Sequence, residues 1–277
     1  MLALLVNEAR HRGLPSCVLT FEPNPRDYFA RRMGQHHQAP ARIASLRDKL
    51  AELQRCGVDE VVLARFDERF AALSPDQFIS QVLMEGLQAR YVLVGDDFRF
   101  GARRAGDYAL LDQAGQRLGF DVARMMSYEV HGLRVSSSAV RQALQAGDLD
   151  TTQQLLGRHY SISGHVTHGR KLGRSLGQSA PNRHDGFRTL NLRVAHDRPA
   201  AMGIFIVQVQ GLSADPLPGV ASLGVRPSVE DAGRVLLEVH CLHWPLPQEA
   251  GYGRLVQVDL LHKLHDEIAY ESLAALE

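Results

Sequence analysis

The stretch LLGRHYSISGHVT at positions 155–167 decides the fold, because the periodicity of the chain changes inside it. Up to Gly157 the pattern is helical, and Leu144 to Leu156 reads as a short helix-rich connector. From Tyr160 onward, Tyr-Ser-Ile-Ser-Gly-His-Val alternates apolar and polar residues, as a strand with one buried face does. The same habit returns in Gly203–Gln210, Arg234–His243 and Leu255–Leu261, and the runs are separated by turns such as Asp215-Pro-Leu-Pro-Gly219 and Gly224-Val-Arg-Pro227. Short alternating strands between Gly/Pro-rich turns predict a small antiparallel barrel or sandwich, closed by a helix from about Asp266.

Upstream of Gly157 the grammar differs. Cys17–Phe21, Asp59–Ala64, Arg90–Val94 and Phe120–Met125 are short, partly β-branched apolar runs, and helical patterns lie between them. Leu46, Leu50 and Leu53 share one helix face that ends at Gly57, and Ser74-Pro-Asp-Gln77 has the form of a capping box with proline at the first helical position. Strand and helix in alternation predict a parallel α/β sheet. The expected domains are therefore 1–157, α/β with its connector, and 158–277, all-β. In such a sheet the phosphate loop usually follows the first strand, yet the chain opens inside what reads as the next helix, so the first strand is expected to be missing.

Composition narrows the function. The 277 residues carry 31 Lys plus Arg against 31 Asp plus Glu, a zero balance that disfavours a general nucleic-acid binder. No apolar run approaches the roughly 18–20 residues that span a bilayer, and Met1–Arg12 contains Glu8 and Arg10, so neither a membrane span nor a signal peptide is expected. Cys17, Cys56 and Cys241 form no C-x-x-C pair, which argues against a disulfide framework and fits a reducing cytoplasm.

Several segments carry residues suited to chemistry. VGDDFRFG at 94–101 trails a predicted strand, where open α/β sheets place ligands; Phe98 and Phe100 suit stacking on a ring, or equally the core, and Asp96 or Asp97 suits a ribose, an amine or a metal-bound water. VSSSAVR at 135–141 sets three hydroxyls and a cation at a helix start, either an anion site or an ordinary Ser cap. The stretch 165–198 concentrates Arg170, Lys171, Arg174, Arg183, Arg188, Arg193 and Arg198 against Asp185 and Asp197, with Gly169, Gly173 and Gly177 giving a loop able to wrap a polyphosphate. Thr189 and Asn191, at strand spacing, face one side and present a hydroxyl and an amide oxygen fit for Mg²⁺ on a nucleotide. Glu238 stands alone in the apolar run Leu236–His240, either facing outward or acting as a base. His240 and His243, an odd number of residues apart, fall on opposite strand faces and make a poor metal pair.

In order and spacing these segments resemble the prokaryotic bifunctional riboflavin kinase/FMN adenylyltransferases. The matching stretches are TFEPNPR (20–26), VGDDFRFG, VSSSAVR, LLGRHYSISGHVTHGRKLGRSLG (155–177), TLNL (189–192), GVASLGVRPSV (219–229), LLEVH (236–240) and LHKLHDEIAYESLAAL (261–276). The resemblance implies a Rossmann-like nucleotidyltransferase domain followed by a six-stranded riboflavin kinase barrel with a C-terminal helix, and two reactions: riboflavin plus ATP to FMN, and FMN plus ATP to FAD and pyrophosphate. It further implies that Thr189 and Asn191 hold Mg²⁺-ATP, that Glu238 takes the proton of the ribityl 5′-hydroxyl, that Gly169, Gly173, Arg174 and Gly177 close over phosphates, and that Arg226 lies beside flavin or phosphate. Gly95, Asp96, Asp97 and Phe98 match the adenylyltransferase pocket, and Ser136, Ser137, Ser138 and Arg141 match its phosphate motif, with Ser138 where threonine is usual.

Two departures stand out. The family's amino-terminal Gly-x-Phe-Asp-Gly-x-His-x-Gly-His loop does not precede Met1, so impaired FAD formation is expected. The kinase motif is interrupted by residues 178–186, with Arg188 in place of proline. The competing classes are a catalytically silent flavin- or nucleotide-binding protein, which has no need of Glu238, and an OB-type nucleic-acid module, which would need an aromatic platform that Phe187, Phe205 and Trp244 do not form.

Overall fold

The computed structural model describes residues 1–126, 128–130, 132–168, 189–194, 198–225, 235–244 and 251–267. The chain forms two compact units, Met1–Pro40 with Leu50–Glu129, and Ala41–Lys49 with Val130–Glu277.

In the first unit, α1 (Leu2–Arg12), β1 (Cys17–Glu22), α2 (Pro25–Arg32), α3 (Leu46–Arg55), β2 (Glu60–Arg65), α4 (Glu68–Ala71), α5 (Pro75–Gln77), β3 (Tyr91–Gly95), α6 (Tyr108–Leu118) and β4 (Asp121–Met125) follow one another, α3 running on from the second unit. The expected strands are present and parallel: β1 pairs with β2 from Cys17↔Glu60, and β3 with β4 from Tyr91↔Asp121. They make two separate pairs, with no ladder joining β1 to β3 among the described residues. The Ser74–Gln77 capping box is closed in both directions, and the helix it opens continues from Phe78 to Gly86 with π geometry. Phe78, Ile79, Leu83, Val94, Phe100, Leu111, Ala114 and Phe120 form the core of this unit.

The second unit holds β5 (Glu129–Val130), β6 (Leu133–Arg134), α7 (Ser137–Ala146), α8 (Leu149–Leu156), β7 (Tyr160–Thr167), β8 (Thr189–Arg193), β9 (Gly203–Gln210), β10 (Leu217–Val225), β11 (Val235–Cys241) and β12 (Leu255–His265). The last six close into a barrel in the order β10-β11-β8-β7-β12-β9, every adjacent pair antiparallel. Alternation produces this closure directly. In β11, Val235, Leu237, Val239 and Cys241 are buried, while Leu236, Glu238 and His240 turn outward. Phe205, Val207, Val209, Leu192, Leu223, Leu237, Val258 and Leu260 fill the interior at 1% exposure or less. Each such side chain contributes about 1.5–3 kcal/mol of transfer free energy. Leu149 and Leu155 carry α8 onto the same core, against β7 and β12. The expected closing helix falls on residues 268–277, outside those described.

Candidate functional site

The barrel's register builds a row of polar side chains that no single strand reveals. Asn191 of β8 lies opposite Glu238 of β11, Glu238 lies opposite Ser222 of β10, and Thr167 of β7 lies opposite Asn191. Directly opposite residues project to one face with Cβ atoms about 4.5–5.5 Å apart. Since Leu190, Leu192, Leu237 and Val239 fill the interior, Thr167, Asn191, Glu238 and Ser222 line the outer wall. Thr189 joins them one step along β8, opposite His240 and exposed.

Asn191 is the unusual member. It is 4% exposed, and its Oδ1 has no hydrogen-bond partner among the described residues, while Nδ2 donates to the Thr189 carbonyl across 3.4 Å. The strand position is fixed from the other side by Thr167, whose Oγ1 donates to the Asn191 carbonyl at 3.0 Å. A buried acceptor without a donor suits a cation, and with the Thr189 hydroxyl on the same face it offers the hard oxygen ligands that Mg²⁺ prefers. Glu238 adds one carboxylate beside them. Behind this wall burial raises the Cys241 thiol to about 11 and raises the Tyr160 phenol as well.

Of the other kinase residues read from the sequence, Gly169, Gly173, Arg174, Gly177 and Arg226 lie outside the described residues, as do the 178–186 insertion and Arg188. Ser222 and Thr167 went without a role, although both stand in the matching segments; the missing signal was the strand register.

The VGDDFRFG segment is an ordered turn in the first unit. Gly95 ends β3, the Phe98 N–H donates to the Gly95 carbonyl at 3.3 Å, and Arg124 Nη2 donates to the Asp96 carbonyl at 2.8 Å. Phe98 stacks on Phe100 with ring centres 5.4 Å apart, and Phe100 packs on Phe78 at 5.3 Å. Phe100, 6% exposed, therefore belongs to the core, while Phe98 is half-buried and Asp97 exposed. Asp107 pins the far end of the turn: it accepts from the Leu110 N–H and from Arg99 Nη1, both at 3.0 Å. The Leu110 N–H first, with Arg99 adding, holds its carboxyl below the ordinary range.

In the second unit, Ser136 caps α7 by accepting from the Ala139 N–H at 3.1 Å, with Ser137 and Ser138 exposed on the first turn. Arg141 turns back along the helix, donating through Nε to the Ala41 carbonyl at 2.6 Å and through Nη1 to the Ser137 carbonyl at 3.1 Å. The seryl cap and the Gly95–Phe98 turn stand in different units.

An outer barrel wall with a carboxylate beside an amide oxygen that is unpaired among the described residues, on a chain that also carries a parallel α/β unit, suits a nucleotide-dependent transferase. The FAD synthetase family model matches residues 1–139 and the Riboflavin kinase family model residues 156–277. The bifunctional riboflavin kinase/FMN adenylyltransferase of Escherichia coli K12 is 43% identical over 273 residues, covering 99% of this chain and 82% of that relative. Those of Pseudomonas fluorescens and Haemophilus influenzae are 40% and 38% identical, each matched over 83% of its length. A solved structure named Macrolide-efflux Protein from Streptococcus pneumoniae shares the fold, with TM-score 0.73 at 24% identity over 99% of this chain and 84% of that one. The chain belongs to the bifunctional riboflavin kinase/FMN adenylyltransferase family, enzymes of flavin biosynthesis whose substrates are riboflavin, FMN and ATP. No helix among the described residues is long and apolar enough to cross a membrane.

Proposed function

We propose that residues 158–277 phosphorylate riboflavin at the outer wall of the barrel, with Glu238 as the base, and that residues 1–157 carry the adenylyltransferase machinery. The pairing of Asn191 with Glu238 across β8 and β11 carries this reading. Thr189 and Asn191 hold Mg²⁺, supported by the orphaned Oδ1 and the all-oxygen donor set; when bound, the ion neutralises charge on the ATP phosphates. Glu238 accepts the proton of the acceptor's 5′-hydroxyl as that oxygen bonds to the γ-phosphorus, and the bond from the γ-phosphorus to its bridging oxygen breaks to release ADP. By the family resemblance, Gly169, Gly173, Arg174 and Gly177 are assigned to the ATP phosphates, and Arg226 to the flavin or the phosphates. For the second reaction Gly95, Asp96, Asp97 and Phe98 bound the nucleotide and flavin pocket, while Ser136, Ser137, Ser138 and Arg141 supply phosphate contacts at the start of α7, where backbone N–H groups favour anions. The three free cysteines support action in a reducing cytoplasm.

The test is chromatography of products from riboflavin and Mg²⁺-ATP. The wild-type chain forms FMN; Glu238→Gln, similar in shape but without a base, lowers turnover about 10²–10⁴-fold while riboflavin binding, followed by flavin fluorescence, is largely kept. Undiminished FMN formation by Glu238→Gln would refute the assignment.

A further inference from the structure

Asn191 is held unequally on its two sides. Toward β11 the whole of β8 is paired, from Thr189↔His240 to Arg193↔Leu236. Toward β7 the register among the described residues has two pairs, Val166↔Leu192 and Thr167↔Asn191. At the second of these a side chain reinforces the main chain, Thr167 Oγ1 donating to the Asn191 carbonyl at 3.0 Å. Thr167 can serve as a fixed post because the end of β7 is itself clamped on its β12 side. There the Val166 N–H donates to the Arg254 carbonyl at 3.0 Å, the Gly253 N–H donates to the Val166 carbonyl at 2.9 Å, and His165 Nδ1 meets the Gly253 carbonyl at 2.9 Å.

We infer that Thr167 is a positioning residue for phosphoryl transfer: it sets the direction of the Asn191 side chain and, through it, the affinity for the divalent cation. This rests on the reading of Asn191 as a metal ligand. The Asn191 side chain has little of its own to hold it, since Nδ2 makes one long bond of 3.4 Å to the Thr189 carbonyl and Oδ1 has no partner among the described residues. Its aim is therefore set by the backbone that carries it, and the carbonyl that Thr167 grips belongs to that same residue. Mg²⁺ demands near-ideal octahedral geometry with ligands at about 2.0–2.1 Å, so a tilt of the strand too small to disturb a flavin contact still lowers cation affinity. Groups that orient a metal ligand without touching the metal are typically worth about 10–100-fold in metal affinity.

The experiment compares Thr167→Val, which keeps the branched shape and removes the donor, with Thr167→Ser, which keeps the donor. Each full chain is titrated with Mg²⁺ in the presence of ADP and read as the rise in Tm, with Asn191→Leu as the baseline for cation binding elsewhere. The Mg²⁺ dependence of FMN formation is followed in parallel. Thr167→Val raises the Mg²⁺ concentration for half-maximal response about tenfold in both measurements, while riboflavin binding, followed by flavin fluorescence, stays within twofold. Thr167→Ser stays within twofold of the wild type throughout, a rescue that tracks the hydroxyl and not the packing. A wild-type Tm that does not respond to Mg²⁺ and ADP beyond the Asn191→Leu baseline overturns the metal reading of Asn191 itself. A wild-type response that Thr167→Val leaves within twofold, or a loss that Thr167→Ser shares or that weakens riboflavin binding equally, overturns the inference alone.

Discussion

Asn191→Leu tests whether the unpaired amide oxygen serves the fold or the ligand. The side chain is 4% exposed, its Oδ1 is unpartnered among the described residues, and its Nδ2 has a single long bond of 3.4 Å. Leaving a buried acceptor unsatisfied costs about 1–3 kcal/mol, while a weak bond of that length returns well under 1 kcal/mol. Leucine, close in volume, removes both terms and gains apolar burial. The ligand-free variant is therefore expected to be as stable as the wild type, or more stable by about 1 kcal/mol, a rise of roughly 2–4 °C in Tm. Function moves the other way. At Mg²⁺-ATP concentrations a hundredfold above Kd, the wild type gains about 2.7 kcal/mol; the variant gains little, and FMN formation collapses. Thermal unfolding with and without Mg²⁺-ATP, alongside product chromatography, reads both effects. A variant that loses more than about 1.5 kcal/mol without ligand, yet is still stabilised by Mg²⁺-ATP, would show that Oδ1 is a structural acceptor and would sink the metal assignment.

Other expectations follow from single groups. The Asp107 carboxyl is held low chiefly by the Leu110 N–H, so its stabilisation is complete above the unfolded carboxylate value and is lost as pH falls through the lower folded one; Asp107→Asn should flatten acid unfolding in that window, and an unchanged acid limb would contradict it. Cys241, buried and raised to about 11, should be the last thiol to react with a disulfide reagent at pH 8 in the native protein and should react freely once unfolded. Ser136→Ala removes the cap of α7 and should cost about 1 kcal/mol in denaturant unfolding; a cost near zero would mean that water replaces the cap.

How much the sequence disclosed depends on the range of the physics involved. Local periodicity placed β1 to β4 within a residue or two, along with β7, β9 and β11, because burial on one face is written residue by residue. Strand β10 was passed over because Pro218, Gly219 and Gly224 read as turn residues. Each has a reason that appears only in the closed barrel. Pro218 stands one residue beyond the last paired position of β11, where its carbonyl accepts from the Leu242 N–H at 2.9 Å and no amide donor is needed. Gly219 lies where a Cβ would meet the His240 carbonyl oxygen at 2.6 Å.

The site was half legible for the same reason. Spacing by two put Thr189 and Asn191 on one face, and the isolated charge of Glu238 in an apolar run marked it as outward or catalytic. Neither fact says which residue of β8 stands beside which residue of β11. Register is set by the whole ring of interior side chains: a slip of one residue would turn Leu190 and Leu192 outward and Asn191 into the core, a change that a period of two cannot tolerate. The interior that holds β8 and β11 in register thus also sets Asn191 opposite Glu238. A core substitution such as Leu192→Ala, expected to cost about 2–5 kcal/mol, should therefore depress FMN formation even at temperatures where the barrel stays folded, by loosening the spacing between Asn191 and Glu238. Activity that tracked only the folded fraction would show that the register survives without its interior support.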